Sequence, residues 1–194
     1  DLLKIIGEAD PSKIAINTSA SDVTADGLTH GMYTLLMDML EDTPYADRLI
    51  SSEEIIAALR GRKSETELAH IKSAIQETLI IFDEVTEFVR PGMTEFDVAE
   101  FIRGRMSEKG LESAWDPDHC PAVFTGPDSA GAHAMPTGRK IEPGHIMNID
   151  FGVRVNGYVS DLQRTWYFLR EGETQAPDEV QRGFDIIREA IQKA

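Results

Sequence analysis

The sequence has a single cysteine, Cys120, in 194 residues. An internal disulfide framework is thereby excluded, and one thiol fits a reducing compartment, so a cytoplasmic location is expected. No apolar run approaches the length of a bilayer-spanning helix, and no secretory leader pattern is read. Basic residues are scarce and scattered: 19 Lys and Arg stand against 34 Asp and Glu, for a net charge of −15. So acidic a chain repels polyanions, which argues against a nucleic-acid or membrane partner and suits cations and peptides. A Gly-rich phosphate loop, CxxC, HExxH, an internal repeat and a low-complexity tract are all absent. The first residue is Asp1 rather than an initiator Met. What remains is an ordinary globular mixture, 41% hydrophobic and 27% charged, with enough apolar material for one or two domains.

The most informative stretch runs from Glu142 to Phe168, where strand-like runs flank Asn156-Gly157. Asn-Gly signals a two-residue type I′ turn, because both central residues need positive φ. If Val155 pairs with Tyr158, paired numbers sum to 313; Gly152 then lies opposite Asp161, and Asp150 opposite Gln163. Asp150 and Asp161 should therefore project from one face as diagonal neighbours, roughly 5–8 Å apart, with an empty space beside them at Gly152. The other face carries Met147, Ile149, Phe151, Val153 and Val155, with Tyr158, Leu162, Trp166 and Phe168, and can enter a core. Two adjacent carboxylates repel unless a proton or a cation intervenes. From these residues alone two readings stay open: the wet side of an antiparallel sheet, or half of a carboxylate cage for metal ions.

Residues 1–62 form one compositional unit. It has a strand candidate at Lys13–Asn17, a helix in the Met32–Leu40 run, and a short helix from Ser52 to Leu59 with Ser51 or Ser52 as its cap. From Ser64 the pattern becomes a long amphipathic helix with Leu68, Ile71, Ile75, Leu79, Phe82, Val85 and Val89 on one face, stopped at Arg90-Pro91-Gly92. Thr94 and Asp97 form a capping box for a second helix with Val98, Phe101, Ile102 and Met106 inward. The Gly/Pro-rich stretch 115–140 reads as loop with a short strand around Val123, and contains His133. A lone loop histidine is ordinarily a surface residue, and His30, His70, His119 and His145 have no better context. Pro177 opens a closing helix containing Val180, Phe184, Ile187 and Ile191.

Together, His133-x-x-Pro136, Lys140-Ile141-x-Pro143-Gly144, Ile149-Asp150-Phe151-Gly152 and Gly157-Tyr158-x-Ser160-Asp161-x-x-Arg164-Thr165 closely resemble the prolidase and aminopeptidase P branch of the pita-bread metallopeptidases. The resemblance implies an α+β fold (α/β in the broad sense): residues 63–194 as the first half of a pita-bread catalytic domain, helices on an antiparallel sheet. Residues 1–62 would be the tail of a creatinase-type α/β N-terminal domain. It also implies Asp150 as a ligand to one metal, Asp161 as a ligand bridging two, and His133 as a catalytic residue hydrogen-bonded to substrate. Gln163 and His145 depart from the usual pattern without removing a ligand. The implied activity is hydrolysis between an N-terminal residue and proline, with two divalent ions (Mn, Co, Zn or Fe; manganese among them) and a peptide with proline second as substrate. A homodimer is common among such proteins. The alternative is a non-catalytic pita-bread domain that binds peptides or proteins, and behind it a metal-free creatinase-like hydrolase. The resemblance assigns the remaining ligands, one histidine and two glutamates, to a second half of the fold not found in these 194 residues. A fragment of a longer enzyme, with weak metal retention and negligible activity by itself, is therefore the expectation.

Overall fold

The structure, a computed structural model, describes residues 2–129 and 135–193. The chain divides into two compact units, Asp1–Ser64 and Glu65–Ala194.

The first unit contains helices α1 (Leu2–Ala9), α2 (His30–Leu40) and α3 (Glu53–Gly61), and strands β1 (Ile14–Ile16) and β2 (Leu49–Ser51). The strands pair in parallel, Ile14 with Leu49 and Ile16 with Ser51. A parallel pair needs a crossover, and α2 supplies it. The expected helix over 32–40 begins two residues earlier, at His30, because Thr29 caps it by accepting from the Met32 amide. At α3 the capping hydroxyl is that of Ser51, which accepts from the Glu53 amide at 3.0 Å. Ser52 turns its hydroxyl instead to Asn17 Oδ1, 2.7 Å away, and is buried. Helix α1 and strand β2 are elements the sequence reading did not anticipate.

The second unit is built on helices α4 (Glu65–Phe88) and α5 (Glu95–Glu108) and two three-stranded sheets. One sheet orders β4 (Ala122–Thr125), β5 (Ile146–Phe151) and β8 (Leu162–Tyr167); the other orders β3 (Glu112–Ser113), β6 (Val153–Val155) and β7 (Tyr158–Val159). All pairings within both are antiparallel. Strands β5 and β6 are one run interrupted at Gly152, and β7 and β8 are one run interrupted at Ser160 and Asp161. The core lies between the helices and the sheet face bearing Met147, Ile149, Phe151 and Val153, each fully buried. Phe82 of α4 meets the Phe151 ring edge-on with centroids 4.7 Å apart.

The α5 cap forms as expected, with both halves of the Thr94/Asp97 box present, and Val98, Ile102 and Met106 face inward. The buried face of α4 differs from the expected stripe. Phe82, Val85 and Val89 are buried as expected, but ahead of them the buried residues are Ala74, Thr78 and Ile81, while Leu68 is exposed and Ile71, Ile75 and Leu79 are half-buried. The small Ala74 and Thr78 let the helix approach β6 and β7 closely, which a line of large apolar side chains would prevent. A bidentate pair from Arg105 to Glu84, at 2.7 and 2.8 Å, ties α5 to α4 and holds the Glu84 carboxyl below its usual range.

The closing helix α6 (Asp178–Lys193) forms, but none of its residues is buried: Phe184, Ile187 and Ile191 are exposed. Among the described residues no helix is long and apolar enough to cross a membrane.

Candidate metal centre

The hairpin positions the two aspartates by counting, as its sequence dictates. Asn156 and Gly157 take φ of 52° and 85°, the positive pair that a type I′ turn requires. Val155 pairs with Tyr158 and Arg154 with Val159, and beyond the interruption Phe151 pairs with Leu162 and Asp150 with Gln163. Every pair sums to 313, so the register continues unbroken across the gap. The turn is fixed to α4: Asn156 Nδ2 lies 3.1 Å from His70 Nδ1, Tyr158 donates to Glu67 at 3.0 Å, and the His70 and Tyr158 rings stack. His70 is thus a docking residue for the hairpin tip rather than a plain surface histidine.

Ile149 and Phe151 are fully buried, so Asp150 between them points to the opposite face of the sheet. Asp150 is half-buried, and its Oδ2 accepts from Gln163 Nε2 at 2.9 Å. Asp161 is exposed and sits in the gap between β7 and β8, between buried Ser160 and half-buried Leu162. Asp150 thus lies on the outer face of β5, and the exposed Asp161 lies immediately before β8, where the same register carried through the gap would set it on that face.

The gap between them is not empty, contrary to the sequence expectation. A Cβ at residue 152 would lie 1.8 Å from the Ser160 carbonyl oxygen and 3.1 Å from Ala114 Cβ. That carbonyl has left the ladder. Ser160 N donates to Val153 O at 3.1 Å as a regular antiparallel pair demands, but the Val153 amide donates to Ser160 Oγ at 3.0 Å, in the position where the carbonyl would normally accept. Thr78 Oγ1 lies 2.7 Å from Ser160 Oγ, and both hydroxyls are buried. A hydroxyl thus repairs one ladder bond while the peptide that leads into Asp161 turns over Gly152.

The polar face offers oxygen donors. Besides the two carboxylates, Asn148 Oδ1 is buried with no hydrogen-bond partner among the described residues, while its amide nitrogen donates to Thr165 Oγ1 at 3.0 Å. Asn148 and Asp150 share a face, two residues apart. An oxygen-rich set of this kind suits hard or borderline divalent ions and fits the metal that the sequence motifs imply. It is not a complete cage: among the described residues no group of three or more His, Cys, Asp or Glu side chains is placed to hold a metal. Cys120 is buried beside Gly152. Burial pushes its thiol above the usual range, and the nearby Asp150 charge adds to that; the neutral thiol points at the Gly152 carbonyl, 3.8 Å away.

His133 lies outside the described residues. The two ends of the segment that contains it are joined by Glu95, at the first turn of α5. Its Oε1 accepts from the Thr125 amide at 2.8 Å, and its Oε2 from the Thr137 amide at 2.8 Å and hydroxyl at 2.6 Å. Only 2% exposed, Glu95 is a buried carboxylate whose partners are hydrogen-bond donors from the two loop ends. A cavity of about 440 Å³ opens beside it, lined by Phe124, Met135 and Arg139 among others. Phe124 pairs with Asn148, so this cavity borders the sheet face of the aspartates. A cavity of about 500 Å³, bounded by Arg103, Trp115 and Arg154, holds neither aspartate. Glu95→Ala strips a charged acceptor from three buried or half-buried donors and is expected to cost about 3 kcal/mol. A urea-unfolding midpoint within error of the parent would contradict this role.

Thr78, Ser160 and Glu95 were not anticipated as parts of this region. For the first two a signal existed: by the sum of 313, Ser160 is the partner of core-facing Val153, and Thr78 sits at helical spacing from Ile75 and Phe82. Polar groups at two core positions on elements that pack together point to a buried hydroxyl pair. Glu95 read only as a favourable acidic residue in a first helical turn.

Comparison with known proteins places these features in context. A model of metallopeptidase family M24 matches residues 69–194. A Xaa-Pro dipeptidase of Lactobacillus delbrueckii subsp. lactis is 28% identical over 204 aligned positions, covering all of this chain and 52% of that protein. Among solved structures, a Xaa-Pro dipeptidase from Bacillus anthracis superposes with a TM-score of 0.69 at 25% identity, over 97% of this chain and 48% of that one. An X-Pro aminopeptidase from Thermotoga maritima superposes at 0.68 with 24% identity, over 97% and 48%, and supports the fold alone. The chain spans about half the length of these relatives. The superposed structures bear out the pita-bread, α+β expectation.

Proposed function

We propose, from the premise that this chain belongs to metallopeptidase family M24, that it supplies Asp150 and Asp161 to a dinuclear metal site for hydrolysis of the amide bond between an N-terminal residue and proline. The observation that supports this reading is the 313 register, which holds on both sides of the gap containing Asp161 and, carried through that gap, sets Asp161 on the same face as Asp150. Asp150 would hold one ion and Asp161 would bridge two. When bound, such ions lower the pKa of a water and offset the charge that develops on the carbonyl oxygen.

The chain's own groups have distinct tasks. Gln163 donates to Asp150 Oδ2 and so leaves that carboxylate in one orientation, with Oδ1 turned elsewhere. His133 would donate a hydrogen bond to the substrate from the loop whose ends Glu95 secures. The cavity beside Phe124 and Met135 offers an apolar wall for a substrate side chain. Peptides with proline in second position are the substrate class that the names of the relatives support. The acidic surface suits metal ions and a protonated N-terminal amine.

The test is made on a chain of the relatives' length that carries these residues. Dialysis against a chelator is expected to remove Xaa-Pro hydrolysis, and Mn²⁺ or Co²⁺ to restore it. Turnover that survives removal of the metal would overturn the reading.

A further inference from the structure

We infer that the buried hydroxyl pair Thr78–Ser160 is a positioning device for Asp161, which fixes where the aspartate's carboxylate stands relative to Asp150. This rests on the assignment of Asp161 as a metal ligand.

The argument begins with what an unbroken hairpin would do. In a regular antiparallel pair, Val153 and Ser160 would exchange two amide–carbonyl bonds. Here only one survives, from Ser160 N to Val153 O, and the second donor is met by the Ser160 hydroxyl at 3.0 Å. The Ser160 carbonyl, released from pairing, stands over the Cα of Gly152, where no Cβ could fit. Because that carbonyl belongs to the peptide joining Ser160 to Asp161, its rotation sets the starting direction of the Asp161 backbone. The local geometry of Asp161 therefore depends on the hydroxyl that takes the carbonyl's place.

A serine hydroxyl rotates freely about χ1 unless something holds it. Thr78 is that constraint. Its Oγ1 donates to the Ala74 carbonyl at 3.0 Å and lies 2.7 Å from Ser160 Oγ, so the Thr78 oxygen is itself fixed by the helix that bears it. Ser160 Oγ accepts from the Val153 amide at 3.0 Å, and its proton has two acceptors within reach, Thr78 Oγ1 at 2.7 Å and the Val153 carbonyl at 3.3 Å; with the Thr78 proton on Ala74, the shorter contact takes Ser160 as donor and Thr78 as acceptor. The three bonds form a directed chain, Val153 N–H to Ser160 Oγ–H to Thr78 Oγ1–H to Ala74 O, and every oxygen in it is buried. The chain fixes the Ser160 side-chain rotamer, because its hydroxyl must face the Val153 amide and Thr78 Oγ1 at once. Helix α4 is thus bonded from the core side to the strand gap, and its close approach at Ala74 and Thr78 has a purpose beyond packing.

The test follows weak Mn²⁺ binding to the 15N-labelled chain through paramagnetic broadening of amide signals near residues 150 and 161. Asp161→Asn is expected to remove the binding. Thr78→Val keeps the shape and deletes the hydroxyl, and should raise the apparent Mn²⁺ dissociation constant at least fivefold. Thr78→Ser, which restores the oxygen, should return it to within twofold. Val85→Ala on the same helix serves as a purely structural control: it should lower the melting temperature and leave Mn²⁺ binding unchanged. Should Thr78→Val fail to fold, Ser160→Ala carries the same expectation. If Asp161→Asn abolishes binding while the hydroxyl variants bind as the parent does, the positioning role is overturned and the ligand assignment stands. If the parent shows no broadening, or Asp161→Asn leaves it unchanged, the ligand assignment fails and the positioning role falls with it.

Discussion

In a chain of the relatives' length that carries these residues, Asp161→Ala is expected to reduce kcat/KM for the proposed Xaa-Pro cleavage by 10³-fold or more, which corresponds to about 4 kcal/mol of lost transition-state stabilisation. The size follows from the two tasks that one carboxylate would serve. As a bridge it would hold both ions at a fixed separation, so its loss removes the template as well as a ligand. Fold stability should change little, because Asp161 is exposed and no apolar contact is lost. The diagnostic pattern is therefore a collapse of turnover and of metal content, measured by elemental analysis, with a melting temperature near that of the parent. Retention of more than a tenth of the activity would remove the bridging role.

Gly152→Ala acts in the reverse sense, through the fold first. The added Cβ would meet the Ser160 carbonyl oxygen at 1.8 Å, and the obstacle is backbone rather than the end of a flexible side chain. Relief requires the carbonyl to swing back, and with it the Asp161 peptide and the Val153–Ser160 hydroxyl bond. A destabilisation at or above the upper end of the roughly 1–3 kcal/mol typical of overpacking is expected, read as a lower urea midpoint. Any folded fraction should have lost its metal affinity. Glycine is needed here for clearance alone, since residue 152 is not among those with positive φ. A variant as stable as the parent would show that the strands separate at this point without cost.

The hairpin was legible because three local signals agree on it: the Asn156-Gly157 turn, the two-residue alternation of its apolar side chains, and the pairing arithmetic. The same agreement made the Thr94/Asp97 cap legible. What escaped was set by contacts distant in sequence. The Gly152 position reads as free space in an isolated hairpin, and only the turned Ser160 peptide fills it. The later part of the α4 stripe, Phe82, Val85 and Val89, is buried as its spacing predicts, whereas before it the strands select the small Ala74 and Thr78 for close approach in place of Ile71, Ile75 and Leu79. Strand β2 has three residues and gains its identity only from β1, thirty-odd positions earlier. Helix α6 was readable from its periodicity, yet its apolar face meets nothing that buries it in this structure. His133 was singled out from a motif alone, and its geometry lies outside the described residues.

The continuous pairing across the gap makes the length of the hairpin tip a chemical parameter. One residue added or removed between Val155 and Tyr158, with the strands re-paired to suit, would change the sum from 313 by one and turn one strand over relative to the other. An aspartate would then face the helices, and an apolar side chain would take its place on the outer face. Two residues would preserve parity. Variation in this tip should therefore come in even steps, and the contacts of Asn156 and Tyr158 with α4 hold the count where it is.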